Sequence, residues 1–197
     1  MALILWVPDG SKDHSPFARA LTPGGGVVVG KHIEFDGVDD NLLVGDLSAQ
    51  IPLNGTATVR MWIKFDQMAA AKGANEFIFT NGVGPGLYQN IANDWFYTVG
   101  NDYFNTGAVL STDRWFHLVT TWSGQTTNQL LYLNGTQYAV TLQGGADDNL
   151  AMTNLRFGAD SGPASWFEGS LSDIQVWDNV WTEDDVAIDY QRTEKFY

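Results

Sequence analysis

Trp115-Phe116-His117-Leu118-Val119-Thr120-Thr121-Trp122, followed after a polar run by Leu130-Leu131-Tyr132-Leu133-Asn134-Gly135-Thr136, reads as two extended segments and not as a helix. Alternate side chains of a strand point to opposite faces, so Phe116, Leu118 and Trp122 share one side and Trp115, His117, Val119 and Thr121 the other. Both sides carry large groups, which predicts a central strand of a layered all-β protein and not a solvent-facing ribbon. The run Ser123 to Asn128 is a turn by composition. Asn134-Gly135 supplies the next reversal, because both residues tolerate positive φ. A β-meander follows.

Working outward, Thr58 to Phe65 alternates in the same way, and Val59, Met61, Ile63 and Phe65 are expected to be buried, with Arg60, Trp62 and Lys64 opposite. Ile4, Trp6, Ile33 and Phe35 mark early extended pieces. Asp9 to Gly30, with two prolines and Gly24-Gly25-Gly26, reads as loop. Ala69 to Ala71 suggests one helical turn, and Glu76 to Thr80, Gln137 to Leu142, Asn154 to Phe157 and Leu171 to Trp177 suggest strands. Between Asn81 and Gly107, aromatics alternate with Asn, Asp and Gly in a pattern of short strands. Thr182 with Asp185 three positions on resembles a capping box ahead of Val186, Ile188 and Tyr190, so one short C-terminal helix is expected. No linker or internal duplication interrupts residues 1–197, which are read as a single domain. Asn-Gly-Thr at Asn54 and at Asn134 matches a glycosylation acceptor, but hairpin-type turns account for both.

Composition narrows the function. The 197 residues are 44% hydrophobic and 13% aromatic, a globular balance. Eighteen Asp and five Glu against ten Lys and Arg give a formal charge of −13. Such a surface repels nucleic-acid phosphates and anionic headgroups, which excludes nucleic acid as an expected partner. Cysteine is absent, so neither a disulfide nor a thiolate metal site is available. Met1 to Asp9 lacks the basic flank and length of a signal peptide, and no apolar run approaches membrane-spanning length. The expectation is a soluble chain without membrane insertion, cytoplasmic or assembled into a virion or surface complex.

Leu5-Trp6-x-x-Asp9-Gly10-Ser11-x-Asp13-x-Ser15, Ile33-Glu34-Phe35-Asp36-Gly37-Val38-Asp39-Asp40, Trp115-Phe116-His117-Leu118-Val119, Leu131-Tyr132-Leu133-Asn134-Gly135 and Phe167-x-Gly169-x-Leu171-x-Asp173-Ile174-x-Val176-Trp177 occur in one order along the chain. In that order they resemble the laminin G-like, pentraxin-type domains of the concanavalin A-like lectin and glucanase superfamily, from about residue 3 to residue 191. The resemblance implies an all-β, two-sheet antiparallel jelly-roll sandwich with one short C-terminal helix. It assigns Trp115 and Phe35 mainly to structure, and the same applies to Trp62 and Trp177. It also implies a structural calcium ion held by Asp9, the Gly37 carbonyl and Asp173, for which an oxygen-only donor set is suited. Asp147-Asp148 is a second acidic pair that could serve a rim site.

The superfamily contains lectins, adhesion modules, glycosidases and virion components, so the job has to be read from sites. Glycosidases of this kind carry Glu-x-Asp-x-x-Glu. Here the nearest match is Glu34-Phe35-Asp36-Gly37-Val38-Asp39, whose last acid is shorter and follows a glycine where strand periodicity breaks. That is a poor basis for the paired carboxylates of hydrolysis. His14, His32 and His117 lack a Gly-x-Ser-x-Gly partner, and His117 reads as a packed, hydrogen-bonded side chain. For recognition, Trp95 and Tyr97 can stack on a sugar ring while Asp94 and Asn101 accept its hydroxyls. These aromatics equally suit a loop cover or a subunit contact. The expected partner is a glycan or glycoprotein surface, with self-association or packing into a virion as decoration or tail subunit as the alternative.

Overall fold

The computed structural model describes residues 2–52, 55–81, 86–92, 95–99, 102–105, 110–123, 129–138, 141–144, 152–160 and 165–197, with the backbone alone for 95–99, 102–105 and 141–144. In chain order these residues form β1 (Leu3–Val7), β2 (Thr22–Gly24), β3 (Val28–Val29), β4 (Ile33–Asp36), β5 (Asn41–Gly45), β6 (Thr56–Phe65), α1 (Ala69–Lys72), β7 (Glu76–Thr80), β8 (Gly86–Gln89), β9 (Trp95–Val99), β10 (Asp102–Asn105), β11 (Trp115–Ser123), β12 (Leu130–Leu133), β13 (Thr136–Tyr138), β14 (Thr141–Gly144), β15 (Leu155–Phe157), β16 (Glu168–Trp177) and α2 (Glu183–Thr193). A 3₁₀ turn over Glu194–Phe196 follows α2. No helix among the described residues is long and apolar enough to cross a membrane.

The strands build two antiparallel sheets. The first runs β13-β12-β11-β6-β16-β4-β3 with β1 also on β16, and the second runs β14-β10-β9-β8-β7-β15-β5-β2. Between them lies one core in which Val59, Met61, Ile63 and Phe65 of β6 meet Phe116, Leu118 and Trp122 of β11, all buried, as their alternation predicts. Burying each such side chain contributes about 1.5–3 kcal/mol, so the sandwich is held by its interior. This is the jelly-roll architecture expected from the sequence. β11 lies beside β6 over nine residue pairs, from Trp115↔Lys64 to Ser123↔Thr56.

Part of the first sheet is buried on its outer face as well. Helix α2 lies across it, and Val119 and Tyr132 pack there with Trp181 and Val186 as a second, smaller core. The helix starts where the capping box places it: Asp185 N–H donates to Thr182 Oγ1 at 3.2 Å, and Thr182 N–H donates to Asp185 Oδ2 at 2.9 Å. Asn134 and Gly135 take φ of +49° and +76°, the conformation a two-residue hairpin turn demands between β12 and β13.

Three expectations change. Asp9 to Gly30 is not all loop: β2 and β3 add short edges to β5 and β4, and Pro23 is tolerated because an edge strand leaves one side unpaired. Gln137 to Leu142 is not one strand, since β13 closes the first sheet and β14 belongs to the second. Trp115, whose indole ahead of an alternating strand is expected to anchor the core, is only half-buried, against His32 and Tyr197.

One irregularity positions several charged groups. Along β16, Ser172 pairs with Trp62 and Gln175 with Arg60, so two residues of β16 oppose one of β6. Asp173 sits in this bulge at φ +49°. Before it, β16 pairs with β4; after it, with β1.

Candidate functional site

Three groups of residues carry the chemistry that the sequence singled out. Of the recognition residues, Trp95 and Tyr97 lie on β9 of the second sheet. Asp94 and Asn101 lie outside the described residues, and of Trp95 and Tyr97 only the backbone is described. Their register is defined: Trp95 lies across from Gln89, and Tyr97 stands between Leu87 and Phe104. Leu87 and Gln89 are buried.

The metal ligands expected from the resemblance fall at separate places. The Asp173 N–H donates to the Pro8 carbonyl at 3.0 Å, which brings Asp173 next to the segment of Asp9. Its Oδ1 accepts from Trp6 Nε1 at 2.8 Å and from Gln175 Nε2 at 3.2 Å, and its Oδ2 pairs with Arg60 Nη1. Asp9 Oδ1 accepts from the backbone and hydroxyl of Ser11, and these bonds hold its carboxyl below the usual carboxylate range. Gly37, at φ +73°, lies against Glu168 and Lys72; a Cβ there would stand 2.5 Å from Lys72 Nζ. Glu168 is five residues from Asp173 along β16, about 16 Å of strand.

The acids that do converge are Asp36, Asp39 and Asp40, each with one carboxylate oxygen within 4.8 Å of the others. In the sequence they stand together in the motif Ile33 to Asp40. Asp40 is buried, and its Oδ2 accepts from the Asp36 N–H at 2.8 Å while its Oδ1 takes the Gly26 N–H. Burial, against those bonds and with Asp36 and Asp39 alongside, raises its pKa. Asp36 and Asp40 line a cavity of about 350 Å³ shared with Glu34, Lys64, Asp66 and Ser170. This donor set suits a hard divalent cation. Glu34 and Asp36 are both exposed on the outer side of β4, while Phe35 between them enters the core. Asp39 follows the Gly37 turn and is off the strand, so the three acids do not form a hydrolase's row.

Beneath α2 lies a network that no motif announced. Arg60 is buried; its Nε donates to Asp189 Oδ2 at 2.6 Å and its Nη1 to the Asp173 carbonyl at 2.7 Å. His117, also buried, meets the same Asp189 Oδ2 at 2.7 Å through Nε2. Burial lowers the His117 pKa, so the ring is neutral near pH 7 and Nε2 is the donor. Burial works against the Asp189 carboxylate, but the His117 and Arg60 bonds outweigh it and hold its pKa down. Trp62 stacks on Tyr197 with centroids 4.4 Å apart and donates Nε1 to Thr193 Oγ1. The expectation of a packed, bonded His117 thus holds. The only sequence signal for the pairing was an arginine at an alternating position of a strand otherwise fit for burial.

The chain belongs to the concanavalin A-like lectin/glucanases superfamily, whose pattern matches residues 36–187. No curated protein sequence matches it. Among solved structures, it is similar to the receptor binding domain of botulinum neurotoxin C/D mosaic serotype (18% identity, TM-score 0.73, covering 97% of this chain and 51% of that one). It is also similar to the receptor binding domain of botulinum neurotoxin D (17% identity, TM-score 0.73, 98% and 53%). A third structure, of botulinum neurotoxin type C, whose cell entry is described as dependent on interaction with two ganglioside molecules, is 13% identical (TM-score 0.71, 97% and 51%). The chain spans about half the length of these domains, and at such identities the likeness is one of fold.

Proposed function

We propose that this chain is a non-catalytic recognition module, laminin G-like and pentraxin-type in form, that binds carbohydrate or a glycosylated surface. The observation that carries the reading is that its sandwich superposes over 97% of its length on a toxin receptor binding domain and on a structure of a toxin whose cell entry is described as dependent on two ganglioside molecules. The acid arrangement supports the absence of hydrolysis: Glu34 and Asp36 stand on the outer face without the third acid in line. The contact is assigned to β9 and its flanks, with Trp95 and Tyr97 as stacking platforms and Asp94 and Asn101 as hydroxyl acceptors.

Calorimetry against a glycan panel that includes ganglioside oligosaccharides tests this, with and without calcium. Binding that Trp95→Ala or Tyr97→Ala weakens at least tenfold supports the assignment; undiminished binding in both variants removes it, and a panel without any binder removes the function. Calcium is the ion assigned to Asp36, Asp39 and Asp40 by their convergence, and not to Asp9, Gly37 and Asp173, the set implied by the resemblance, which stand apart. A melting temperature that calcium raises and Asp39→Asn returns to the calcium-free value supports the first set.

A second reading, a structural subunit of a virion or other assembly, draws on Val28 and Val29. These edge-strand side chains are 57% and 44% exposed and suit a contact between copies. Mass measurement in solution separates the two: a monomer with glycan affinity favours recognition, and a fixed oligomer that Val28→Lys dissociates favours assembly.

A further inference from the structure

We propose that the groove between α2 and the end of β16 is a ligand site of its own, shaped for one neutral pyranose ring. The glycan chemistry is that of the proposed function, but the place is the outer face of the first sheet and not β9.

The groove encloses about 230 Å³ and is lined by Gln175, Trp177, Trp181, Ile188, Asp189 and Arg192. That is less than the roughly 300–1,000 Å³ of pockets for drug-sized molecules, and leaves room for a single ring. Its apolar wall is Trp177, half-buried, with the edge of Trp181, which is otherwise packed in the second core and 7% exposed; their centroids are 5.6 Å apart and their planes inclined by 58°. Both are set in advance. Trp177 Nε1 donates to Gln175 Oε1 at 3.1 Å, and Gln175 Nε2 donates to Asp173 Oδ1 at 3.2 Å. The Trp181 N–H donates to Thr58 Oγ1 at 3.0 Å. A ligand entering this corner therefore loses little affinity to ordering the protein.

The polar groups come from α2 at fixed heights. Asp189 is anchored through Oδ2 by Arg60 and His117, while its Oδ1 has no partner among the described residues. Arg192, three residues on and on the same side of the helix, is exposed and has no carboxylate partner among the described residues. Ile188 at the mouth is 45% exposed, a large apolar side chain turned to water beside two tryptophans. The matching ligand has an apolar face for the indoles, a hydroxyl that donates to Asp189 and another that accepts from Arg192. A pyranose has all three.

Charge selects among sugars. Asp185 and Asp189 flank the groove against the single Arg192, so a uronate or sulfated sugar meets a net negative wall. A quaternary ammonium would find both the indoles and this negative wall, and lacks only the hydroxyls that Asp189 and Arg192 would bond, so tetramethylammonium is the competitor the test has to separate.

The test is a titration of the intact chain with the methyl glycosides of glucose, galactose, mannose and N-acetylglucosamine, followed by the indole N–H signals of Trp177 and Trp181 in ¹⁵N spectra. The expected result is saturable shifts of both signals for at least one sugar, with Kd of about millimolar order. Arg192→Ala and Ile188→Arg change only exposed side chains; the first should weaken binding about tenfold, by losing a charged hydrogen bond, and the second should abolish it by filling the mouth. No shift with any of the four sugars overturns the proposal, as do shifts that both variants leave unchanged, or shifts with tetramethylammonium alone. Trp95→Ala separates the two sites. If it abolishes glycan binding that Arg192→Ala leaves intact, the groove falls and the β9 assignment stands; the reverse pattern keeps the groove and removes β9.

Discussion

Glu76→Gln should make the protein more stable in alkali while changing it little in acid. Glu76 is fully buried on β7; its Oε1 accepts from the Glu168 N–H at 3.2 Å and faces Lys72 Nζ at 3.7 Å, and its Oε2 has no partner among the described residues. Burial outweighs both Lys72 and the amide, and pushes the carboxyl from 4.5 up to about 7. At about 1.4 kcal/mol per unit, the folded state prefers the protonated form by roughly 3 kcal/mol. A carboxyl raised on folding contributes stability that is complete below its unfolded value near 4.5 and is lost as pH rises through about 7. His117 works the other way: its pKa is lowered, so its contribution is complete above about 6.5 and falls away below. The two slopes oppose each other just below pH 6.5, where the wild-type curve alone would hide both. The difference between wild type and Glu76→Gln cancels the histidine. Urea unfolding at pH 5 and pH 8.5 should show near-equal stability at the lower pH and a variant more stable by roughly 3 kcal/mol at the higher. A difference that stays constant across this range would refute the assignment of a carboxyl titrating near neutrality at this position.

Arg60→Ala should cost about 3–5 kcal/mol by thermal unfolding, because it strands the Asp189 and Asp173 carboxylates beneath α2; a loss under about 1 kcal/mol would show that the helix docks without the network. Gly158, at φ +82°, lies so close to Phe35 that a methyl group would overlap the ring, and Gly158→Ala should lose about 2 kcal/mol or more in chemical denaturation, with Phe35→Leu in the same chain restoring part of it. Thr182→Ala removes the α2 cap and should cost about 1 kcal/mol, visible as faster amide exchange in Asp184 and Asp185 before the rest of the chain opens.

The two-sheet fold was legible because its central strands alternate cleanly: Val59 to Phe65 and Phe116 to Trp122 could bury only one arrangement of side chains. The helix was legible for a local reason, since Thr182 and Asp185 answer each other within one turn. What escaped was whatever depends on contacts distant along the chain. Arg60 looked like the solvent side of a strand, and only the return of α2, more than a hundred residues later, buries it. Thr22 to Gly24 and Val28–Val29 have no strand pattern of their own and are extended because β5 and β4 offer them an edge. Glu76 reads as an ordinary strand residue until Lys72 and Glu168 are brought beside it. Gln137 to Leu142 looked continuous because pattern alone cannot mark where a chain leaves one sheet for the other. At the candidate site, the aromatic content of β9 was legible. The convergence of Asp36, Asp39 and Asp40 was not, because turn acids carry no period.

The bulge at Asp173 divides the flank of β16 between two tenants, Ile33–Asp36 on one stretch and Leu3–Val7 on the other. The second tenant is held by its own ladder and by Ala2, whose N–H donates to Asp178 Oδ1 at 2.6 Å and whose carbonyl takes the Asp178 N–H at 3.1 Å. A molecule that releases this ribbon leaves a half-length slot with open amides and carbonyls above the main core. Closing the first sheet therefore depends on this ribbon finding its place on β16, a seam that the rest of the sheet cannot seal for it.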